Sequence, residues 1–243
     1  MSVDRDAIMR GPFYGYAFKN WSTMTAGNAK WFDPELKGYD HDPQRARQLF
    51  ASIGMKDRDG DGVMEDAHGV PVQFTMITNS DNKLRTDILN LLKDDFAKVG
   101  VKVLPLPLDF NTMITKIRSD FTYEAALLGL GSAVPADPGM GQNVWKSSGL
   151  THYWNVKQAR PSTPEEARVD QLMAENLGTQ DLAQRKRSWR EVMDIVNEQC
   201  WFVWLPSQQM KVPVRSRFGN VQPSPMPHRI LWNIDRVYRK PGS

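Results

Sequence analysis

The sequence predicts an α/β fold, and three observations carry that expectation. Between Pro71 and Leu130, apolar runs with a period of two alternate with apolar runs at helical spacing. Strands separated in this way by helices become parallel neighbours in one sheet. Apolar residues make up 40% of the 243, enough to bury the core of one large domain or two small ones.

Asp42-Pro43 opens the first clear helix, in which Ala46, Leu49, Phe50 and Ile53 recur at helical spacing before Gly54 stops it. An acidic loop follows. In PVQFTMITN, Val72, Phe74 and Met76 alternate with Gln73 and Thr75, the pattern of a half-buried strand. A helix from about Asp81 carries Leu84, Ile88, Leu91 and Leu92 and closes at Gly100. VKVLPLPL is the next strand, and Pro105 and Pro107 push its end toward a sheet edge, where a missing N–H does least harm. A shorter helix from Thr112 to Ile117 leads into YEAALLGL, a further strand. Residues 129–154 break the rhythm with glycine, proline, amides and aromatics, and irregular stretches of that length are often functional. Thr163-Pro164-Glu165-Glu166 is a capping box with proline at the first helical position, for a helix running to Gly178. A second helix starts at Asp181, with Leu182, Trp189, Val192, Met193 and Val196 on one side, and feeds a strand, WFVWLP. The tail from Gln208 is proline-rich, with a last apolar segment, ILWNIDRVY.

The formal charge is only +3, from 31 basic and 28 acidic residues spread along the chain, so nothing singles out nucleic acid as a partner. The densest basic run, RKRSWR from Arg185, reads as a solvated helix face. Cys200 is the sole cysteine; it allows no intramolecular disulfide, and its apolar neighbours in NEQCWFVWL predict a buried thiol. No apolar run approaches the ~20 residues of a membrane span, and MSVDRDAIMRG lacks the apolar core of a signal sequence.

Enzyme motifs do not emerge. GLGSA places its serine after the second glycine, unlike a nucleophile elbow, and GLG lacks the third glycine of a dinucleotide site. There is no P-loop and no HExxH, and His41, His68, His152 and His228 are too scattered to suggest zinc. The acidic loop KDRDGDGVMED has more pattern. Asp57, Asp59 and Asp61 stand at positions one, three and five of a calcium loop, the Val63 carbonyl at seven, and Gly62 at the tight turn. His68 occupies position twelve, where a bidentate glutamate belongs, which leaves Glu65 or Asp66 to close the shell. The same residues also suit a metal-free turn, and structural calcium is the one ion this sequence invites; no other cofactor is expected.

Eight tryptophans are generous for this length, and Trp145, Tyr153 and Trp154 fall in or beside the long irregular stretch. Aromatic faces there, with Gln142, Asn143, Ser147, Ser148 and Asn155 nearby, suit a ligand needing both stacking and orientation; the same rings could instead pin the loop to the core.

Taken in order, several segments resemble the extracellular solute-binding proteins of peptide, nickel and oligosaccharide ABC transporters, solute-binding family 5. SVDRDAIM is similar to that family's A-x-D-R-x-x-I helix, and YDHDPQRARQLFASIGMKDRDGDGV to its D-P helix and D-x-d-G-d-G turn. LRTDILNLLKDDFAKVGVKV resembles its helix ending in G-I-k-V, LLGLGSAVPADP its strand leading to an Asp-Pro loop, and RKRSWREVMDIVNEQCWFVWLP its late helix and strand. The resemblance implies a periplasmic-binding-protein type II-like lobe, domain III of a cluster C protein, with a mixed sheet flanked by helices. Family members are commonly about twice this length, with the A-x-D-R helix near the middle, so by the resemblance this stretch looks like the C-terminal half. It also implies a connection to the other lobe over residues 1–40, a ligand-binding α/β lobe at 41–213, and a crossover back at 214–243. The signal sequence would lie outside this stretch and the protein would be periplasmic or otherwise extracytoplasmic.

By that resemblance the protein is not an enzyme. The resemblance implies a monomeric capture protein that closes on a small-molecule or oligopeptide ligand and docks on an ABC permease in the membrane. The family's cleft loop maps onto residues 131–137. Peptide binders carry an aspartate three residues before the acidic residue of the Asp-Pro pair, where this chain has Val134, which leaves a glycan, an opine or another polar organic solute open. The expected contacts are Gly131 and Ser132 in the loop, Asp137, Asn143, His152 and Asn155 as polar groups, and Trp145 and Trp154 as stacking surfaces. A calcium-stabilised extracellular interaction module and a hydrolase using cleft carboxylates are the alternatives.

Overall fold

In the computed structural model, residues 1–131, 135–224 and 230–241 are described. Asp4 accepts the Ala7 amide at 2.8 Å and starts α1 (Arg5–Arg10), which is followed by a short strand, β1 (Ala17–Phe18). The expected cap at Asp42 forms: its side chain accepts the Arg45 amide at 2.8 Å, and Pro43 begins α2 (Pro43–Ser52). Gly54, at φ +85°, takes the left-handed conformation that ends the helix. Only part of the predicted apolar face is used. Ala46 and Phe50 pack with Val99 and Val101, whereas Leu49 and Ile53 remain exposed because the contact runs along one edge of the helix.

The strand–helix alternation builds a parallel sheet. β2 (Gln73–Asn79) pairs along its whole length with β3 (Lys102–Leu108) and briefly with β4 (Ala125–Ala126), in the order β3-β2-β4. Pro105 and Pro107 therefore sit on an edge strand, as their missing donors require. Between these strands run α3 (Lys83–Ala97), capped by Asn82, and α4 (Phe110–Thr115), capped by Asp109 and continued by one π turn at Lys116–Asp120. Right-handed crossovers to opposite sides of β2 place the two helices on opposite faces of the sheet. Ile88, Leu89 and Leu92 accordingly pack with Met76 and Val103, and Met113 and Ile117 with Ile77. The simple alternation expected for β2 gives way to burial of Met76, Ile77, Thr78 and Asn79 in succession, because a central parallel strand is covered on both sides.

The second half is helical. α5 (Gln142–Trp145) is a single turn in the irregular stretch; α6 (Pro164–Leu177) starts at the predicted capping box, and α7 (Leu182–Glu198) at Asp181. Their facing sides, Val169, Leu172 and Met173 against Trp189, Val192, Met193 and Val196, form a core with Trp145 and with Met24, Trp31 and Leu36 from the N-terminal segment. The run RKRSWR is only partly a solvated face: Arg185 and Arg190 fold inward to Asp137 and Asp33. Cys200 is exposed rather than buried, since the chain reverses there at φ +54° and carries its side chain off the core. WFVWLP is extended but unpaired. A groove separates it from 125–130, and only the next residues, β5 (Ser207–Gln208), pair with β1. In the tail, β6 (Phe218–Gly219) pairs with β7 (Tyr238–Arg239).

Candidate functional site

The parallel strands β2, β3 and β4 all point their carboxyl ends to one edge, the side on which open α/β sheets bind ligands. Residues 129–131 leave the sheet at that edge and begin the irregular stretch. Alongside it, the groove, about 1150 Å³, lies between 125–130 and 200–208, with Phe74, Tyr123, Tyr153, Trp154, Trp201 and Trp204 on its walls. Among the described residues Glu124 is the one charged side chain in the lining, and its Oε2 already accepts the Thr75 amide at 2.6 Å.

Of the expected ligand contacts the structure brings one, Trp154, into the lining of this groove, and it sets others behind it or on the loop. Trp154 lines it, stacked on Trp201 with ring centroids 4.7 Å apart and planes within 9°. Trp145 is 2% exposed and meets Trp189 and Phe202 edge to face, so it supports the wall from the core side. His152, 1% exposed, lies with its ring 3.7 Å from that of Trp154 and its Nδ1 3.0 Å from the Val144 carbonyl. Gly131 and Asn143 are exposed on the loop. Asp137 caps the turn at Pro138–Gly141 through the Gly139 amide and pairs with Arg185. Burial pushes its carboxyl up, but the hydrogen bond and charge of Arg185 and the Gly139 amide hold it below the usual carboxylate range. Ser132 and Val134 lie outside the described residues.

Behind the wall, one carboxylate organises the loop. Glu166 is 2% exposed. Its Oε2 accepts from the Ser162 amide at 2.8 Å and the Ser162 hydroxyl at 2.9 Å, and its Oε1 from Trp154 Nε1 at 3.2 Å and Asn155 Nδ2 at 3.3 Å. His152 Nε2 stands 3.5 Å from Oε1. Burial alone would raise the pKa of Glu166, yet the hydrogen bonds from Ser162 and Asn155 outweigh it, and the value falls to about 2. Asn155 is thereby spent on the scaffold, with Ser162 Oγ at 2.6 Å and Gln158 Oε1 at 3.0 Å.

In the acidic loop, Asp57, Asp59, Asp61 and Glu65 each bring one oxygen to a cluster whose atoms lie within 4.8 Å of one another. Asp57 accepts the Gly60 and Gly62 amides, and Asp61 the Val63 amide at 2.7 Å. Glu65, not Asp66, turns into the cluster, because Asp66 is committed to the His68 and Val70 amides.

The profile of bacterial extracellular solute-binding proteins, family 5 (middle), matches residues 1–151. The chain belongs to this family. A probable ABC transporter-binding protein of Deinococcus radiodurans is 27% identical over 76% of the chain, and the oligopeptide-binding protein AppA of Bacillus subtilis 23% identical over 84%. The chain spans about a third of the length of these relatives, 33% and 36%. The AppA structure with a nonapeptide superposes with a TM-score of 0.76 at 19% identity, over 98% of this chain and 46% of that one. NikZ from Campylobacter jejuni, in complex with Ni(L-His), gives 0.75 at 21%, over 98% of this chain and 47% of its own. The fold of this family 5 chain is thus that of a type II periplasmic-binding-protein lobe. Among its described residues no helix is long and apolar enough to cross a membrane.

Sequence reasoning missed part of the site. Trp201 and Trp204 read as one more strand, although their density beside a proline was a signal. Arg85 sits in the first turn of α3, where a cation opposes the helix dipole, and its guanidinium reaches the carboxyl edge of the sheet.

Proposed function

We propose that this chain is part of the substrate-binding component of an ABC importer, working outside the cytoplasm, that captures a peptide-like or other polar organic solute and delivers it to a membrane permease. The family match over residues 1–151 carries this reading. It is supported by the aromatic groove and loop at the carboxyl edge of the sheet, with Trp154 as a stacking face and Gly131, Asp137 and Asn143 on the loop; Trp145, His152 and Asn155 back it from within. Residues 214–243 lead toward the other lobe, a role favoured by exposed Leu231, Trp232, Ile234 and Tyr238. A two-carboxylate hydrolase needs paired acids, and among the described residues Glu124 is the one carboxylate in the groove lining. Thermal shift of the protein against peptides, neutral oligosaccharides, opines and metal ions tests the reading: one class should raise the melting midpoint in a saturable way without being turned over. Turnover of a bound probe, or a flat response to the whole set, would sink it.

A second proposal concerns the acidic loop. Asp57, Asp59, Asp61 and Glu65 offer hard oxygen donors at calcium-loop spacing, with the Val63 carbonyl one step on, and an ion there would stabilise the turn between α2 and β2.

A further inference from the structure

We propose that the cavity between residues 22–36 and α7 is a binding site for a small oxyanion, apart from the groove and standing whether or not the solute-binding reading holds. The cavity, about 220 Å³, shares only Ser22 with the groove lining. That volume is below the ~300 Å³ at which pockets for drug-sized ligands begin, so its guest has few atoms. What its polar side chains still offer is hydrogen-bond donation. Trp31 lines the cavity at 3% exposure, and its Nε1 has no hydrogen-bond partner among the described residues. A buried donor without an acceptor is costly, and native folds keep one where something else completes it. The Ser22 hydroxyl oxygen accepts the Met24 amide at 2.8 Å, which leaves its proton to give. Lys186 joins the lining from α7, and no carboxylate pairs with it among the described residues.

The acceptors of the lining are already engaged. Asp33 Oδ2 takes Arg190 Nη1 at 2.7 Å, and its Oδ1 takes the Glu35 amide at 2.9 Å. Arg190 is closed off as well, with its Nε 2.8 Å from Asp194 Oδ2. The charges left over are cations. Lys30 Nζ lies 5.2 Å over the Trp31 ring and, like Lys186, has no carboxylate partner among the described residues. The Arg185 guanidinium lies 4.9 Å over the same ring, and two cations there favour an anion at its N–H. An indole N–H, a hydroxyl and an ammonium are the donor set that an anion with two or more oxygens takes. Trp189 and Met193, on the apolar part of the lining, lower the dielectric around those bonds and strengthen them. Ser22 and Trp31 belong to the N-terminal segment and Lys186 to α7, so the bound anion bridges the two. The same segment lines the groove through Thr23, Thr25 and Asn28, and fixing it steadies one groove wall.

The experiment titrates the full chain by calorimetry with sodium phosphate, sodium sulfate and sodium acetate, each against sodium chloride at matched ionic strength. Three variants accompany the wild type. W31F keeps a ring and removes the Nε1 donor, and K186M removes the charge of an exposed side chain while keeping most of its stem. R187M removes an exposed cation of the same helix that lies outside the lining, and circular dichroism verifies that each variant is folded. The expected result is saturable binding of at least one oxyanion and none of chloride, weaker by roughly ten- to a hundredfold in W31F and in K186M and unchanged in R187M. The tightest of the three probes distinguishes a phosphate or sulfate group from a carboxylate. No binding of any oxyanion, equal binding of chloride, or binding that either W31F or K186M leaves intact overturns the site. Weakening in R187M as large as in K186M means diffuse surface charge and overturns it too.

Discussion

Glu166 shows how much one side chain contributes when its partners converge. The capping box named it from sequence, and the Glu166 amide does donate to Thr163 Oγ1 at 3.2 Å. Its other role could not be read there, because the donors come from Trp154, Asn155 and Ser162 in an irregular stretch with no periodicity to place them. With its carboxyl at about 2 in the fold and an ordinary value of 4.5, the group stabilises the native state fully above pH 4.5. That stabilisation, about 3 kcal/mol, is lost as the pH falls from 4.5 toward 2. Glu166→Gln should therefore lower stability by roughly 2 to 3 kcal/mol at pH 7 in urea melts, flatten the acid limb below pH 4.5, and shift the tryptophan emission as Trp154 loosens. An unchanged acid limb in the variant would mean that the carboxylate is not the hub of this loop.

At the scale of elements, the sequence was most readable where local chemistry decides. The Asp42 and Thr163 caps, the stop at Gly54 and the edge position of the proline-bearing strand were all legible, since each depends on a few adjacent residues. WFVWLP and the later part of YEAALLGL read as strands and stay unpaired, since pairing depends on what lies across the groove, which local propensity cannot see. The acidic loop stands between these cases: its spacing was legible, while the choice of Glu65 over Asp66 depends on which carboxylate the turn at Val70 consumes. If calcium fills it, an excess of ~100 times the dissociation constant should stabilise the protein by about 2.7 kcal/mol. For a chain of this size that raises the melting midpoint by roughly 5 to 10 °C, an increase abolished by EGTA and by Asp59→Asn. Equal midpoints with calcium and with EGTA would reduce the loop to a hydrogen-bonded turn.

Across the whole molecule, two cores have to be held together around an open groove. One is the sheet with α1 and α3; the other is the α6–α7 pair with the N-terminal residues Met24, Trp31 and Leu36. The family profile reaches only residue 151, so the joint between its span and the later helices is where this chain is least defined by its pattern. Arg5 makes that joint. It is 6% exposed, donates from Nε to the Trp204 carbonyl at 2.7 Å and from Nη1 to the Tyr39 carbonyl at 3.1 Å, and lies 4.4 Å over the Trp21 ring. Nothing in the local sequence marks Arg5 for this part, because its acceptors are backbone carbonyls up to 199 positions away. Asn197 adds a second tie within the helical half, donating to the Trp21 and Lys37 carbonyls. Arg5→Met keeps much of the stem but leaves two carbonyls short of a donor and removes the stacked charge, a loss of about 2 to 4 kcal/mol. Because the lost contacts join the two cores, the variant should also unfold less cooperatively, with a van't Hoff enthalpy below the calorimetric one, or with two resolved transitions. Arg45→Met, on the exposed face of α2, is the control and should leave one transition. If Arg5→Met also melts in a single transition at the wild-type midpoint, the cores are coupled through β1 and β5 instead, and the charge at position 5 has no structural part in joining them.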